Sequence, residues 1–267
     1  MAASPPPTKR QKTSSSAPYE LIYWPTIPGR GEPIRLCFEA TKTPYVDVSN
    51  STKAGVKAVM EQISEENKGH GYNLPHLAPP IFRHGDLIIS QLPNILLYIA
   101  PKLGLAGDEE DEHAIYRINQ LALTVLDGFS NEVHDTHHPM AVSEVYEDQK
   151  DEAEKKAKNY IENRLPKFLG YFERALESGA SGGGEWLYGN RLTYADLVLW
   201  HGLDGTSFAF PKAVVRTRES GHYEKVWALY ERVKELDAIK SYLGSERRLG
   251  YTKGIYRYYP ELDIEAE

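Results

Sequence analysis

The chain has a single cysteine and only three methionines, and no apolar run that approaches the roughly 18 residues a membrane span needs. A lone Cys37 excludes an internal disulfide framework and leaves no basis for a cysteine-based metal set. Positive charge is also scarce. Lys and Arg number 31 against 38 Asp and Glu, a formal net charge of −7, which argues against the phosphate neutralisation that non-specific nucleic-acid binding requires. The first residues lack the apolar core of a secretory leader. The expectation is therefore a reducing, cytoplasmic setting with no nucleic-acid and no membrane partner. No internal repeat is evident, which disfavours a solenoid.

The 267 residues are 41% hydrophobic and 26% charged, enough for one large domain or two modest ones with their own cores. Residues 1–18 are rich in Ser, Pro and Lys and nearly free of apolar side chains, so a disordered tail is expected there. Within it Lys9-Arg10-Gln11-Lys12 looks like a short nuclear-import signal, the plain alternative being a solvated basic tail.

From Tyr19 to Tyr23 the alternation predicts a strand, closed by the Pro/Gly-rich turn Pro25 to Gly31. Pro33 then suits a first helical turn, and Ile34, Cys37 and Phe38 supply the apolar stripe of a helix ending near Thr41. Tyr45-Val46-Asp47-Val48 reads as a second, parallel strand. Ile81 to Arg83 and Leu87 to Ser90 flank the turn signal His84-Gly85-Asp86 as an antiparallel hairpin, and a helix with Pro93 at its start follows. The order β-α-β-α-β-β-α is that of a thioredoxin-like domain, placed at 19–104, with a linker at 105–110.

Beyond the acidic run Asp108 to Glu112 the period changes. Ile115 to Phe129 and Ala153 to Leu176 repeat at helical spacing, so 111–267 is expected to be an all-helical bundle, with a kink at Pro166. Thr193 and Asp196 have the spacing of a capping box at the start of a further helix. The fold class is thus an α/β thioredoxin-like domain followed by an all-α domain.

A thioredoxin-like sheet gathers three segments at one groove suited to an anionic, peptide-like ligand: Tyr23, the stretch Ala78-Pro79-Pro80-Ile81, and Ser90-Gln91-Leu92. Tyr23-Trp24 with Gly29-Arg30-Gly31-Glu32-Pro33-Ile34-Arg35 resembles the start of the cytosolic glutathione transferases of the tyrosine type, the sigma-like group in particular. Pro80 to Gln91 is similar to the family's proline-led hairpin, and Gly189 to Asp196 to its helical-domain signature. The resemblance runs in order from Tyr19 to about Leu203.

What this implies is a glutathione transferase with glutathione as co-substrate, a small-molecule electrophile as second substrate, a detoxifying conjugation, and a homodimer. Tyr23 would stabilise the thiolate by a hydrogen bond, its plain alternative being a strand-end tyrosine that only packs its ring. Trp24, Arg30, Pro79, Pro80, Gln91 and Leu92 would complete the glutathione site, with Pro80 as the family's cis-proline. Two residues depart from the pattern. Pro79 replaces Val and can offer only a carbonyl, and Leu92 replaces Ser, so a serine restored there is expected to tighten glutathione binding.

His134, His137 and His138 map to the family's second-substrate pocket. Their irregular spacing ahead of Pro139 is no regular ligand set, so no metal is assigned. Cys37 reads as a core residue. Two other functions fit the same scaffold: a binding or regulatory protein with little conjugating activity, and a glutathione-dependent isomerase or ether-cleaving enzyme.

Overall fold

In the computed structural model of the chain, residues 17–264 are described. The tail and its basic run Lys9-Arg10-Gln11-Lys12 lie outside them, apart from Ala17 and Pro18. Strand β1 (Tyr19–Ile22) leads through the Pro/Gly turn into α1 (Glu32–Ala40). Strand β2 (Val46–Asp47) is shorter than the four residues expected, because the chain turns at once into α2 (Val48–Ser51) and then α3 (Gly55–Ile63). The hairpin forms as β3 (Ile81–His84) and β4 (Leu87–Ser90), followed by α4 (Leu92–Ile99). The strand order is β2-β1-β3-β4, with β1 parallel to β2 and antiparallel to β3. Pro33 and Pro93 occupy the second helical position rather than the first, a difference within the usual fraying of helix ends.

Past Leu103 every regular element is helical among the described residues: α5 (Ala114–Leu123), α6 (Asn131–Asp135), α7 (Lys150–Asn159), α8 (Leu165–Glu177), α9 (Tyr194–Ala209), α10 (Pro211–Glu219), α11 (Glu224–Glu235) and α12 (Asp237–Leu243). A π-helical stretch, Thr124–Ser130, carries α5 into α6. The expected kink at Pro166 takes a different form. The turn before it, Tyr160–Arg164, widens to a π-helix and Pro166 lies in the first turn of α8. Widening relieves the clash between the proline ring and the preceding turn, where the missing N–H would leave a carbonyl without its donor.

Helix α9 is buried nearly all round and packs against α1, α5 and α11, with apolar side chains on most of its surface. Its capping box is formed as the sequence indicates. Asp196 Oδ2 accepts from the Thr193 amide at 2.8 Å and the Thr193 hydroxyl at 2.7 Å, while Oδ1 accepts the Leu187 amide at 2.8 Å.

The two parts are joined through buried charge. Glu32 of α1 meets Arg35 at 3.2 Å and Arg248, from the segment after α12, at 3.0 Å, and it accepts the Tyr242 hydroxyl at 2.9 Å. Arg248 also binds Asp204 of α9 at 2.8 Å. Such a set fixes the relative position of its partners mainly because breaking it would strand charges away from water.

Candidate functional site

The strand register decides which residues meet. Ile22 lies opposite Ile81, and Ile81 opposite Ser90, so the chain leaves β1, enters β3 and leaves β4 at one end of the sheet. That end carries Tyr23, Pro80 and Gln91. The Pro79–Pro80 bond is cis, as expected. Gln91 is exposed and adopts φ +71°, a region unfavourable to any residue with a side chain and one that active sites and ligand clamps retain. Trp24 is half-buried and packs between the two apolar clusters. Pro79 is half-buried and Pro80 buried.

Leu92, at the start of α4, is 2% exposed and belongs to the main apolar core. Leu92→Ser would place a hydroxyl among apolar neighbours and leave a cavity instead of adding a donor for a ligand. Only the backbone amide of Leu92, at the start of α4, remains as a candidate contact.

Tyr23 is 6% exposed and lies under the Gly29–Gly31 turn. Glycine is required there by contact. A Cβ on Gly29 would overlap the Tyr23 hydroxyl, and one on Gly31 would sit 2.8 Å from the ring. The hydroxyl oxygen accepts the Arg30 amide N–H at 2.9 Å, and among the described residues its own proton has no acceptor. Burial raises the phenol's pKa above the ordinary value, opposed by that hydrogen bond and by the charges of Arg30 and Arg35. Tyr23 therefore stays a neutral O–H donor at pH 7.

The turn that carries Arg30 is held from both parts of the chain. The buried Arg35 donates to Asp47 at 2.7 Å and to the Pro28 carbonyl at 3.1 Å, with its guanidinium 5.9 Å from the Tyr23 ring centre. His201 of α9 donates through Nε2 to the Gly29 carbonyl at 3.1 Å. The Arg30 guanidinium reaches across to Asn131 Oδ1 at 2.7 Å.

Asn131 begins α6, which carries His134 and leads directly into His137 and His138. Rings of His134, His137 and His138 lie 4.8–5.1 Å apart between centres, as one cluster. The structure divides their roles. His137 is buried and donates through Nε2 to the Ile255 carbonyl at 2.9 Å, which leaves Nδ1 bare and unpartnered. His138 is buried against Gln149. His134 alone keeps appreciable exposure, 23% of its side chain. Thus His137 and His138 are bound within the fold, and of the three His134 is the most exposed. Among the described residues no group of acidic, His or Cys side chains is arranged to hold a metal ion. Cys37 is buried, and burial raises its thiol pKa, as suits a core residue.

Burial, aided by neighbouring positive charge, holds His134 down to about 4, His137 to about 3 and His201 to about 3. In the unfolded chain the same rings titrate near the ordinary 6.5, so the unfolded state takes up protons first as pH falls. Their contribution to stability is complete above about pH 6.5 and drains away as pH falls toward 3–4. The thermal midpoint should accordingly fall between pH 7 and pH 4 in a calorimetric series. A flat profile would show that these rings titrate normally.

Residues 134–246 match the family model described as "Glutathione S-transferase, C-terminal domain". Over 197 residues the chain is 30% identical to glutathione S-transferase Mu 2 of Mus musculus, an alignment that covers 74% of this chain and 80% of that protein. The chain belongs to the glutathione S-transferase family. Glutathione S-transferase of Plasmodium falciparum (isolate 3D7) is 23% identical over 86% of this chain and 98% of its own length. Two solved structures share the fold. They are the Pi-class glutathione S-transferase of Onchocerca volvulus (TM-score 0.57, 24% identity, 84% of this chain and 91% of that one) and prostaglandin synthase D of Nilaparvata lugens (TM-score 0.59, 21% identity, 86% and 98%).

For a glutathione S-transferase, the sequence named the residues at the sheet end but not those that hold them. Arg35 carried a signal, an acid three residues before it on a helix with an apolar stripe. Asn131, His201, Arg248 and the segment around Tyr256 carried none, because only tertiary folding brings them to residues more than a hundred positions away.

Proposed function

We propose that this glutathione S-transferase is of the tyrosine type, sigma-like, and that Tyr23 activates the glutathione thiol for attack on an electrophilic small molecule. The observation that carries the reading is the Arg30 N–H bound to the Tyr23 oxygen, which leaves the phenolic proton to be donated. A thiol of pKa about 8.5 is mostly protonated at pH 7, and only its thiolate is a good nucleophile. A hydrogen bond from Tyr23 to sulfur stabilises that anion. The thiol proton passes to solvent, the sulfur forms a bond to carbon, and the leaving group departs with its bonding electrons.

The rest of the sheet end fits a peptide-like co-substrate. The Pro79 carbonyl accepts the cysteinyl amide, Gln91 and the Leu92 amide meet the γ-glutamyl end, and Trp24 and Arg30 flank the sulfur. Residues 19–104 then serve glutathione and 111–267 the electrophile, with His134 at the pocket between them. A homodimer accompanies the reading. The exposed loop residues Tyr72, Leu74 and Leu77 supply an apolar surface that a second copy would cover. Among the described residues no helix is long and apolar enough to cross a membrane, and a cytoplasmic setting belongs to the same proposal.

Retention on immobilised glutathione followed by conjugation assays with a panel of electrophiles tests it. Retention with turnover is expected, and Gln91→Ala should weaken glutathione binding by about 1–3 kcal/mol by stranding a charged ligand group. Retention without turnover would replace the enzyme by a binding or regulatory protein. Glutathione-dependent isomerisation or ether cleavage without conjugation would move it to those reactions. Neither retention nor turnover would end the reading.

A further inference from the structure

The segment after α12 crosses the helical part and ends beside the histidine cluster. Tyr256 lies against α9 where Gly205 leaves room for its ring, and its hydroxyl is 2.8 Å from that of Ser130. Tyr259 stacks on Tyr146 with ring centres 3.8 Å apart, and Asp263 accepts the first amides of α10 at 2.8 and 3.2 Å. Ile255 is fixed by His137, and a Cβ added at Gly254 would meet the side chain of Ile27, in the turn that follows Tyr23. The path from residue 254 to 264 is therefore set at both ends and in the middle.

This path delivers a second arginine to the turn where Arg30 ends. Arg30 is bound to Asn131, and Tyr256, the residue before Arg257, is bound to Ser130, the residue before Asn131. The Arg30 guanidinium and the Tyr256 hydroxyl thus reach adjacent residues at the start of α6 from different parts of the chain, and Arg257 follows Tyr256 directly. Neither arginine has a carboxylate partner among the described residues. Arg257 is half-buried and spends its Nε on the Gly254 carbonyl at 3.2 Å. Of the nearby acids, Glu132 is occupied by Arg164 at 2.6 and 2.7 Å, and Asp135 is half-exposed and 3.9 Å from His134 Nδ1. The charge of Arg257 disfavours protonation of all three histidines, and that of Arg30 does so at His134. The three rings stay neutral at pH 7, and a neutral imidazole such as that of His134 can still donate one N–H to an anion.

We propose that Arg257, with Arg30, binds the anionic end of the second substrate, so that the electrophile this site accepts is an organic acid whose carboxylate is held beside His134. The inference rests on the reading of Tyr23 as the group that activates glutathione, since that places the reacting sulfur on the other side of Arg30. A guanidinium without a protein carboxylate offers paired N–H donors in the geometry a carboxylate takes.

The probes are 4-chloro-3-nitrobenzoate and its methyl ester. In both, thiolate attack forms a C–S bond and chloride leaves with the bonding electrons. Binding is measured on the full chain by calorimetry with S-methylglutathione present, which fills the glutathione site without reacting, and turnover is measured with glutathione. The acid should bind at least 10-fold more tightly than the ester. Arg257→Gln should reduce that preference about 10- to 100-fold, the loss of a charge-assisted hydrogen bond, and Arg257→Lys should restore part of it. Comparing variant with wild type cancels the difference in ring reactivity between acid and ester. Equal binding of the two probes, or a preference that survives Arg257→Gln, overturns the inference. An acid preference that depends on Arg257 in a protein that turns over neither probe upholds the anion site while sinking the catalytic reading.

Discussion

Tyr23→Phe should lower conjugation near pH 7 by about 10- to 100-fold, the value of one hydrogen bond to a charged atom, while glutathione affinity changes by no more than a few-fold. The ring is retained, so its packing under Gly29 and Gly31 is unaltered and the loss is confined to the hydroxyl. Without that donor the bound thiol returns toward its ordinary pKa of about 8.5, so the deficit should shrink as pH rises past that value. A pH–rate profile of the variant against wild type, with the ultraviolet absorbance of bound thiolate followed in parallel, reads both effects. A profile that coincides with wild type would remove Tyr23 from the chemistry. The Arg30 amide also loses its acceptor, which should cost about 1 kcal/mol of stability. Activity must therefore be compared at a temperature where both proteins are folded.

The second large effect concerns stability. Asp196→Ala should destabilise the chain by about 3–5 kcal/mol, because three buried donors lose their acceptor together: the Thr193 amide, the Thr193 hydroxyl and the Leu187 amide. For a chain of this size that lowers the thermal midpoint by about 10 °C, a large share of the 5–15 kcal/mol typical of a folded protein. Calorimetry checks it. Asp196→Asn should be milder, since its amide carbonyl can keep one oxygen acceptor. A midpoint for Asp196→Ala within a degree or two of wild type would mean that the capping box contributes little and that α9 is held by its packing alone.

The local grammar of the chain was legible where a pattern in sequence is itself the cause of the structure. Alternation at Tyr19–Tyr23, the His84-Gly85-Asp86 turn and the Thr193–Asp196 spacing each act over a few residues, and each formed as read. A kink is expected at Pro166, but how a helix accommodates a proline depends on what surrounds it, and here the turn before it is π-helical and the chain stays helical from Lys150 to Glu177. Leu92 shows the same limit at the site. Its position was aligned with a ligand-binding serine, yet its side chain follows the apolar face of α4 into the core.

By itself, then, the sequence determined the two-part fold and named Tyr23, Pro80 and Gln91 as one group, since a thioredoxin-like order of strands puts the end of β1, the start of β3 and the end of β4 side by side. Tertiary structure alone decided that Arg30 binds Asn131, that Glu32 faces Arg248, and that His137 is spent on Ile255 while His134 keeps some exposure. The physical reason is separation. These contacts join residues about 100 to more than 200 positions apart along the chain, through side chains whose sequence neighbours give no indication of the partner, and only the packing of α9 and the returning C-terminal segment brings them within reach.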